Sequence, residues 1–304
     1  MLYPDFKDLI AIKDRRSKVS HLPARSVKAA RQGNHNSPFR GQGLEFDAVR
    51  AYVPGDDIRN IDWKVTARSG SPHLKLFKEE RERNITICVD MNESMRFGTR
   101  RTFKSIQAAH IAALLGWQSL SQHDSVSGCL FGDVQSGIQY FPPKRTRQSF
   151  CAMLGILCRP PVQRHQIPIH HPLKQLSRSV TPGSIVYIIS DFIDLNFHLQ
   201  EESGLCLLRK SSDVVFIAVN DIADKTIPPI GSILFSSNTG DKIAINTQND
   251  SGRSAYANFW KREREQLHEI TNKFKIPLIE LGTESEIHKE LFLGLKGIAK
   301  KRMR

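Results

Sequence analysis

The 304-residue chain contains no apolar run approaching the roughly 20 residues that a membrane-spanning helix requires. Its opening stretch, MLYPDFKDLIAIKDRRSKVS, places Asp5, Asp8 and Asp14 where a signal peptide would carry an apolar core. A soluble, cytoplasmic protein is therefore expected. Cysteine is sparse and unpatterned: the five residues Cys88, Cys129, Cys151, Cys158 and Cys206 lie mostly in apolar runs. With no Cys-x-x-Cys pair and no Cys/His cluster at zinc spacing, reduced core thiols are expected rather than disulfides or a zinc site. His170 and His171 are adjacent rather than at helical ligand spacing, which suits a surface feature. Catalytic fingerprints are missing as well. There is no Walker-type phosphate loop, no Gly-x-Gly-x-x-Gly turn after a strand, no His-Glu-x-x-His and no Gly-x-Ser-x-Gly. Nothing positive supports an enzyme.

Acidic residues are scarce in three places. The chain carries a net charge of +13, with 39% hydrophobic and 25% charged residues, enough apolar material for a real core. Residues 1–38 hold a net +5, residues 144–190 hold +7 with no acid at all, and the last nine residues, KGIAKKRMR, hold +5. Together these segments carry +17, so the rest of the chain is at −4. The excess is local. Such segments suit an acidic protein partner, the anionic inner membrane leaflet or nucleic acid, and they also suit solvated flanks that aid solubility. Segment 144–190 offers only Phe150 and Tyr187 for base stacking, which argues against RNA.

The character of the chain changes near residue 84. Before it the sequence is polar and lacks long periodic runs; after it apolar strands alternate with helical patterns. Strands are expected at 84–90 (NITICVD), 124–131, 184–190 (SIVYIIS), 213–219 (DVVFIAV) and 276–281, with 133–141 as a hairpin partner. Helical spacing covers 102–120, 147–157, 198–210 and 256–275. Alternation of this kind predicts an α/β fold with a doubly wound, mostly parallel sheet, in which ligands gather at the carboxyl ends of the strands.

Asp90 ends one of these apolar strands and Asp191 ends another, so parallel strands would bring both carboxylates to one edge. Asn92 and Ser94 follow Asp90 at alternate positions. Oxygen ligands spaced in this way suit Mg²⁺ or another hard divalent cation. They equally suit a capped turn leading into the next helix. Both remain open.

The stretch DMNESM resembles the Asp-x-Ser-x-Ser loop of von Willebrand factor A domains, which forms a metal-ion-dependent adhesion site. Upstream, residues 39–95 resemble the DUF58 family (domain of unknown function 58) more specifically. The match runs in order through Gly43, Leu44, Glu45 and Phe46, then Tyr52, Val53, Pro54, Gly55, Asp56 and Asp57. It continues through Arg59, Ile61, Asp62, Trp63, Ala67, Arg68, Glu79, Glu80 and Arg81 into the strand and the Asp90 loop. The resemblance is strong over about residues 39–131. It implies a von Willebrand A-like, Rossmann-type domain and a divalent cation held by Asp90, Asn92, Ser94 and Asp191, with Thr146 from a separate loop. It also implies a MoxR-type AAA+ ATPase as partner, in a bacterial chaperone-like or envelope-stress system. Two departures matter. Asn92 stands at the first serine position, and Thr146 in FPPKRTRQ is flanked by Arg145 and Arg147, which repel a divalent ion. A folded but metal-free site is the alternative.

The signature VPGDDIRNIDW begins with a Pro54-Gly55 turn, and Asp56-Asp57 suits the cap of a short helical turn over residues 58–62. No nucleophile or histidine completes a catalytic set, so Asp56, Asp57, Arg59 and Asp62 are expected to form a structural or partner-facing cluster. Trp63 is expected to anchor this segment against the α/β domain. The resulting organisation is a basic extension (1–38), a signature segment packed on the core (39–83), the α/β domain (84–282), and a C-terminal helix with a basic tail (283–304). The leading expectation is a non-enzymatic protein-interaction module. The alternative is a basic protein that binds the membrane surface or nucleic acid and carries a vestigial metal site, peripheral at the inner membrane.

Overall fold

A computed structural model describes residues 3–14, 44–79, 83–160, 166–193, 195, 202–236 and 242–302. Gly43, Glu80 and Arg81 of the signature lie outside the described residues, as do residues 15–38 of the basic extension and Arg304 of the tail. The chain divides into two compact units, residues 28–82 and residues 1–27 with 83–304.

The larger unit begins with α1 (Phe6–Ala11), capped by Asp5, whose carboxylate accepts the Lys7 amide at 2.8 Å. The smaller unit is a hairpin of β1 (Leu44–Ala51) and β2 (His73–Glu79), joined through α2 (Trp63–Ser69). Its two strands pair antiparallel with one irregularity between Phe46 and Ala48.

From residue 83 the chain follows the expected alternation. Its elements are β3 (Asn84–Met91), α3 (Lys104–Ser121), β4 (Ser125–Gly132), β5 (Ile138–Lys144), α4 (Arg147–Leu157), α5 (His170–Ser179) and β6 (Ile185–Ser190). They continue as α6 (Glu202–Ser211), β7 (Asp213–Asn220), the single turn α7 (Ile222–Lys225), β8 (Ser232–Ser236), β9 (Lys242–Asn246), α8 (Asp250–Lys273), β10 (Leu278–Gly282) and α9 (Ile287–Arg302). Six strands form one sheet in the order β10-β7-β6-β3-β4-β5, parallel throughout except for β5, which returns antiparallel to β4 at the edge. This is the doubly wound α/β sheet that the alternation predicts.

The central strands are mostly apolar because both of their faces are covered, and the buried Thr86 of β3 and Ser127 of β4 hydrogen-bond each other at 2.8 Å. Ile85, Ile87 and Val89 of β3 pack into one core with α1, α3, α4 and α9, while Cys88 joins α5, α6 and α8 on the other face. All five cysteines are free thiols, and Cys88 and Cys129 sit directly opposite each other on β3 and β4. The helix α3 lies against β3 and is buried along most of its length. Close approach to α4 is possible because position 116 is glycine: an added Cβ would sit 2.0 Å from the Phe150 ring. Trp117 ties α1 down by donating its indole N–H to the Leu9 carbonyl at 2.9 Å. Thus the start of the basic extension is part of the core rather than a separate arm.

The helix α5 and the β8–β9 ribbon are not among the expected elements. The helix α5 has only three buried residues, Pro172, Leu173 and Leu176, in ten. The β8–β9 hairpin is a separate two-stranded ribbon inserted between β7 and α8. The ribbon's five-residue strands are too short to carry a readable alternation, whereas α5 gathers its buried residues on one face, a period that the sequence does hold.

Candidate functional site

Strand order puts β6 directly beside β3, with Val89 opposite Ile189, and β7 beside β6. Three parallel strands therefore deliver carboxylates past one edge: Asp90 from β3, Asp191 from β6 and Asp221 from β7. All three are at most 4% exposed. Asp90 accepts the Ser190 hydroxyl at 2.6 Å on one oxygen and the Asn92 amide at 2.8 Å on the other. Ser190 in turn accepts the amide of Phe192, a residue held in the left-handed region at φ 54°. Asp221 accepts both the amide and the hydroxyl of Thr99, the Thr283 hydroxyl and the Ala223 amide.

The charge at the centre belongs to Lys104, the first residue of α3. Its ammonium donates to Asp191 at 2.9 Å and to Asp224 at 3.4 Å, and it is 1% exposed. The Phe97 ring lies 5.7 Å from the nitrogen. A second cation, Arg264 from α8, donates to the Asp191 backbone carbonyl at 2.5 Å and to the Asn220 side chain at 3.2 Å. Burial opposes the Lys104 charge, but Asp191 and Asp224 outweigh it and hold the ammonium above its ordinary pKa. Asp90 is also raised, which for a carboxyl favours the neutral form: burial, then the negative Asp191, push it up to about 7 against the bonds from Ser190 and Asn92. A cavity of about 30 Å³ beside Asp90 has room for one water, not for a substrate.

The structure brings Asp90, Asn92 and Asp191 together and sets Thr146 apart. In β5, Lys144 pairs with Val126 at the amino end of β4, while Asp90 pairs with Phe131 near its carboxyl end. Five strand residues separate the two levels, roughly 17 Å. Thr146 instead caps α4, its hydroxyl accepting the Ser149 amide at 3.4 Å. Its expected place among the metal ligands is thereby corrected, because an antiparallel edge strand returns the chain to the wrong end of the sheet. Asn92 has a different task from either expectation. Its side-chain amide makes a two-way bridge to the Ile167 backbone, both bonds at 3.0 Å, and does not cap the turn Glu93–Arg96 that follows. Gly132 makes room for it, since a Cβ there would lie 2.7 Å from the Asn92 carbonyl oxygen. Ser94 sits half-buried within that turn.

These donors do not fit a divalent cation. Mg²⁺ asks for an octahedral set of oxygens and keeps several waters. Here both oxygens of Asp90 and the carbonyl of Asn92 accept hydrogen bonds from the protein, and Asp191 already faces an ammonium. Among the described residues, no three His, Cys, Asp or Glu side chains converge in a metal-holding group.

Comparison with known proteins adds the lineage. Residues 48–266 match the family described as protein of unknown function DUF58. The chain belongs to the DUF58 family. An uncharacterized protein of Mycobacterium tuberculosis is 24% identical over 256 residues, covering 84% of this DUF58 chain and 79% of the relative. Among solved structures, the conserved hypothetical protein BatB from Bacteroides thetaiotaomicron aligns at 15% identity over 72% of this chain and 99% of that one, with a TM-score of 0.44. A von Willebrand factor type A protein from Catenulispora acidiphila aligns at 10% identity over 75% of this chain and 44% of that one, with a TM-score of 0.40. No helix among the described residues is long and apolar enough to cross a membrane.

The DUF58 signature acids turn out to be occupied locally. Asp56 pairs with Arg50 at 2.7 Å and accepts the Val53 amide at 2.9 Å, and the Arg50 bond holds its carboxyl below the ordinary range. Asp57 caps the short turn Ile58–Asn60 by accepting the Arg59 amide at 3.0 Å. Asp62 caps α2 through the amides of Lys64 and Val65. Arg59 is exposed. Trp63 is 68% exposed, so it anchors no core within its own unit. The seven-residue α2 half-buries Val65 and Thr66, which leaves its first residue to solvent.

Sequence reasoning missed Lys104, Ser190, Asp221, Asp224 and Arg264. Asp221 carried the same signal as its neighbours, a carboxylate just past an apolar strand. Lys104 carried a weaker one, a cation in the first turn of a helix, where the macrodipole disfavours it.

Proposed function

We propose that this protein is a non-enzymatic protein-interaction module whose partner is an AAA+ ATPase of the MoxR type, in a bacterial chaperone-like or envelope-stress system. The observation that carries this is the condition of the carboxylates at this edge: the strand-end Asp90, Asp191 and Asp221, and Asp224 of α7, all accept bonds from the protein's own donors. A general base or nucleophile must reach a reacting atom, and these groups are turned inward on one another. The ATPase partner is what the resemblance over residues 39–131 implies. Charge supports a basic docking surface for an acidic partner, because Lys144, Arg147, Arg159, Lys174 and Arg178 are exposed along a segment without acids. Cations arranged in this way speed encounter with an acidic partner and lose that advantage as salt rises.

The test mixes the full chain with an ATPase of this type and measures association at low and high salt, with nucleotide hydrolysis assayed on the chain alone. Association with an on-rate that falls with salt is expected, and no hydrolysis. Failure to associate, or turnover by the purified chain, overturns the proposal. Binding to anionic vesicles in place of the ATPase would favour the membrane-surface alternative.

A further inference from the structure

A buried lysine in the midst of the carboxylates is the least expected feature of this edge. We propose that the Lys104 ammonium is the resident cation of the site: it neutralises the Asp191–Asp224 pair from within, so that the wild-type chain takes up no divalent ion there.

Lysine is almost never fully buried unless paired, and its long stem ordinarily carries the charged head out to water. Here the head is turned inward, 1% exposed, at the helix end whose dipole opposes a positive charge. Local forces do not explain that placement. The two carboxylates do, since they come from different parts of the chain and meet the same nitrogen at 2.9 and 3.4 Å. The Phe97 ring, 5.7 Å away, adds a cation–π contact, a neighbour that suits an ammonium and offers no ligand to a hard ion. The remaining oxygens are also committed. Asp191 gives its second oxygen to the Ile193 amide, Asp90 serves Ser190 and Asn92, and the Asn92 carbonyl serves Ile167. A divalent ion would have to displace the ammonium and break these bonds while shedding its own water.

The test is a Mn²⁺ titration of the full chain, followed by electron paramagnetic resonance and by thermal melting, for wild type and Lys104→Ala. Wild type is expected to show no saturable binding, and the same melting temperature in EDTA and in Mn²⁺. Lys104→Ala opens space beside unpaired carboxylates and is expected to bind Mn²⁺ at least about tenfold tighter than wild type. If that variant is unfolded without metal, Mn²⁺ is expected to fold it, because binding energy then becomes folding energy. Saturable binding in wild type that Asp191→Asn abolishes would overturn the proposal. So would a Lys104→Ala chain that neither binds Mn²⁺ nor is stabilised by it.

Discussion

Two acidic clusters in this molecule solve the same electrostatic problem at different ranges. In the smaller unit, Asp57 and Asp62 are satisfied by backbone amides two or three residues away, and Asp56 by Arg50, six residues back. At the sheet edge of the larger unit, Asp90 finds Ser190 across 100 residues, Asp191 finds Lys104 across 87, and Asp221 finds Thr99 across 122. The first cluster is exposed or half-exposed and the second is buried. Short-range caps hold a turn together; long-range pairs hold the strands' ends and the surrounding helices in register. Water remains available to the first cluster as a substitute partner and is shut out from the second, so equal chemical changes should have unequal costs.

The largest effect is expected for Asp191→Ala, which leaves the Lys104 ammonium buried without its nearer partner. Loss of one member of a buried pair costs about 3–5 kcal/mol, read by urea denaturation. A cost no greater than that of a surface acid would erase the distinction between the clusters.

Acidity gives the next largest effect. In the folded state Asp90 keeps its proton up to about pH 7, against an ordinary value of 3.8. Its favourable contribution is therefore complete below pH 3.8 and is lost as pH rises through about 7. Across that window, wild type should lose stability relative to Asp90→Asn by up to about 1.4 kcal/mol per pH unit. Parallel stability curves for the two proteins would show that burial does not raise this carboxyl.

Asp62→Ala removes a helix cap and a long surface pairing with Lys75 at 3.9 Å. It should cost about 1 kcal/mol, with Asp62→Asn restoring most of the loss; a melt of the full chain against both variants decides this. Smallest of all is Trp63→Ala, expected to change stability by no more than about 0.5 kcal/mol because the indole is already in water. The same variant should weaken ATPase association if the signature segment faces the partner. A large stability loss from it would place Trp63 in a core after all.

The alternation of apolar runs and helical spacings was enough to specify the class of fold, because residues buried on both faces of a parallel sheet must be apolar in sequence. The same pattern located Asp90 and Asp191 at strand ends, and Asp57 was readable as a cap because a cap bonds its own near neighbours. Which strands lie side by side, and in which direction they run, is not written in any local window. That choice made Thr146 a helix cap at the far end of the sheet, sent the Asn92 amide to the Ile167 backbone, and delivered Lys104 to Asp191, a carboxylate that a metal had been expected to claim. Hydrogen bonds between near neighbours follow from residue type and spacing. Bonds spanning about a hundred residues exist only once packing has excluded water and fixed the order of the strands.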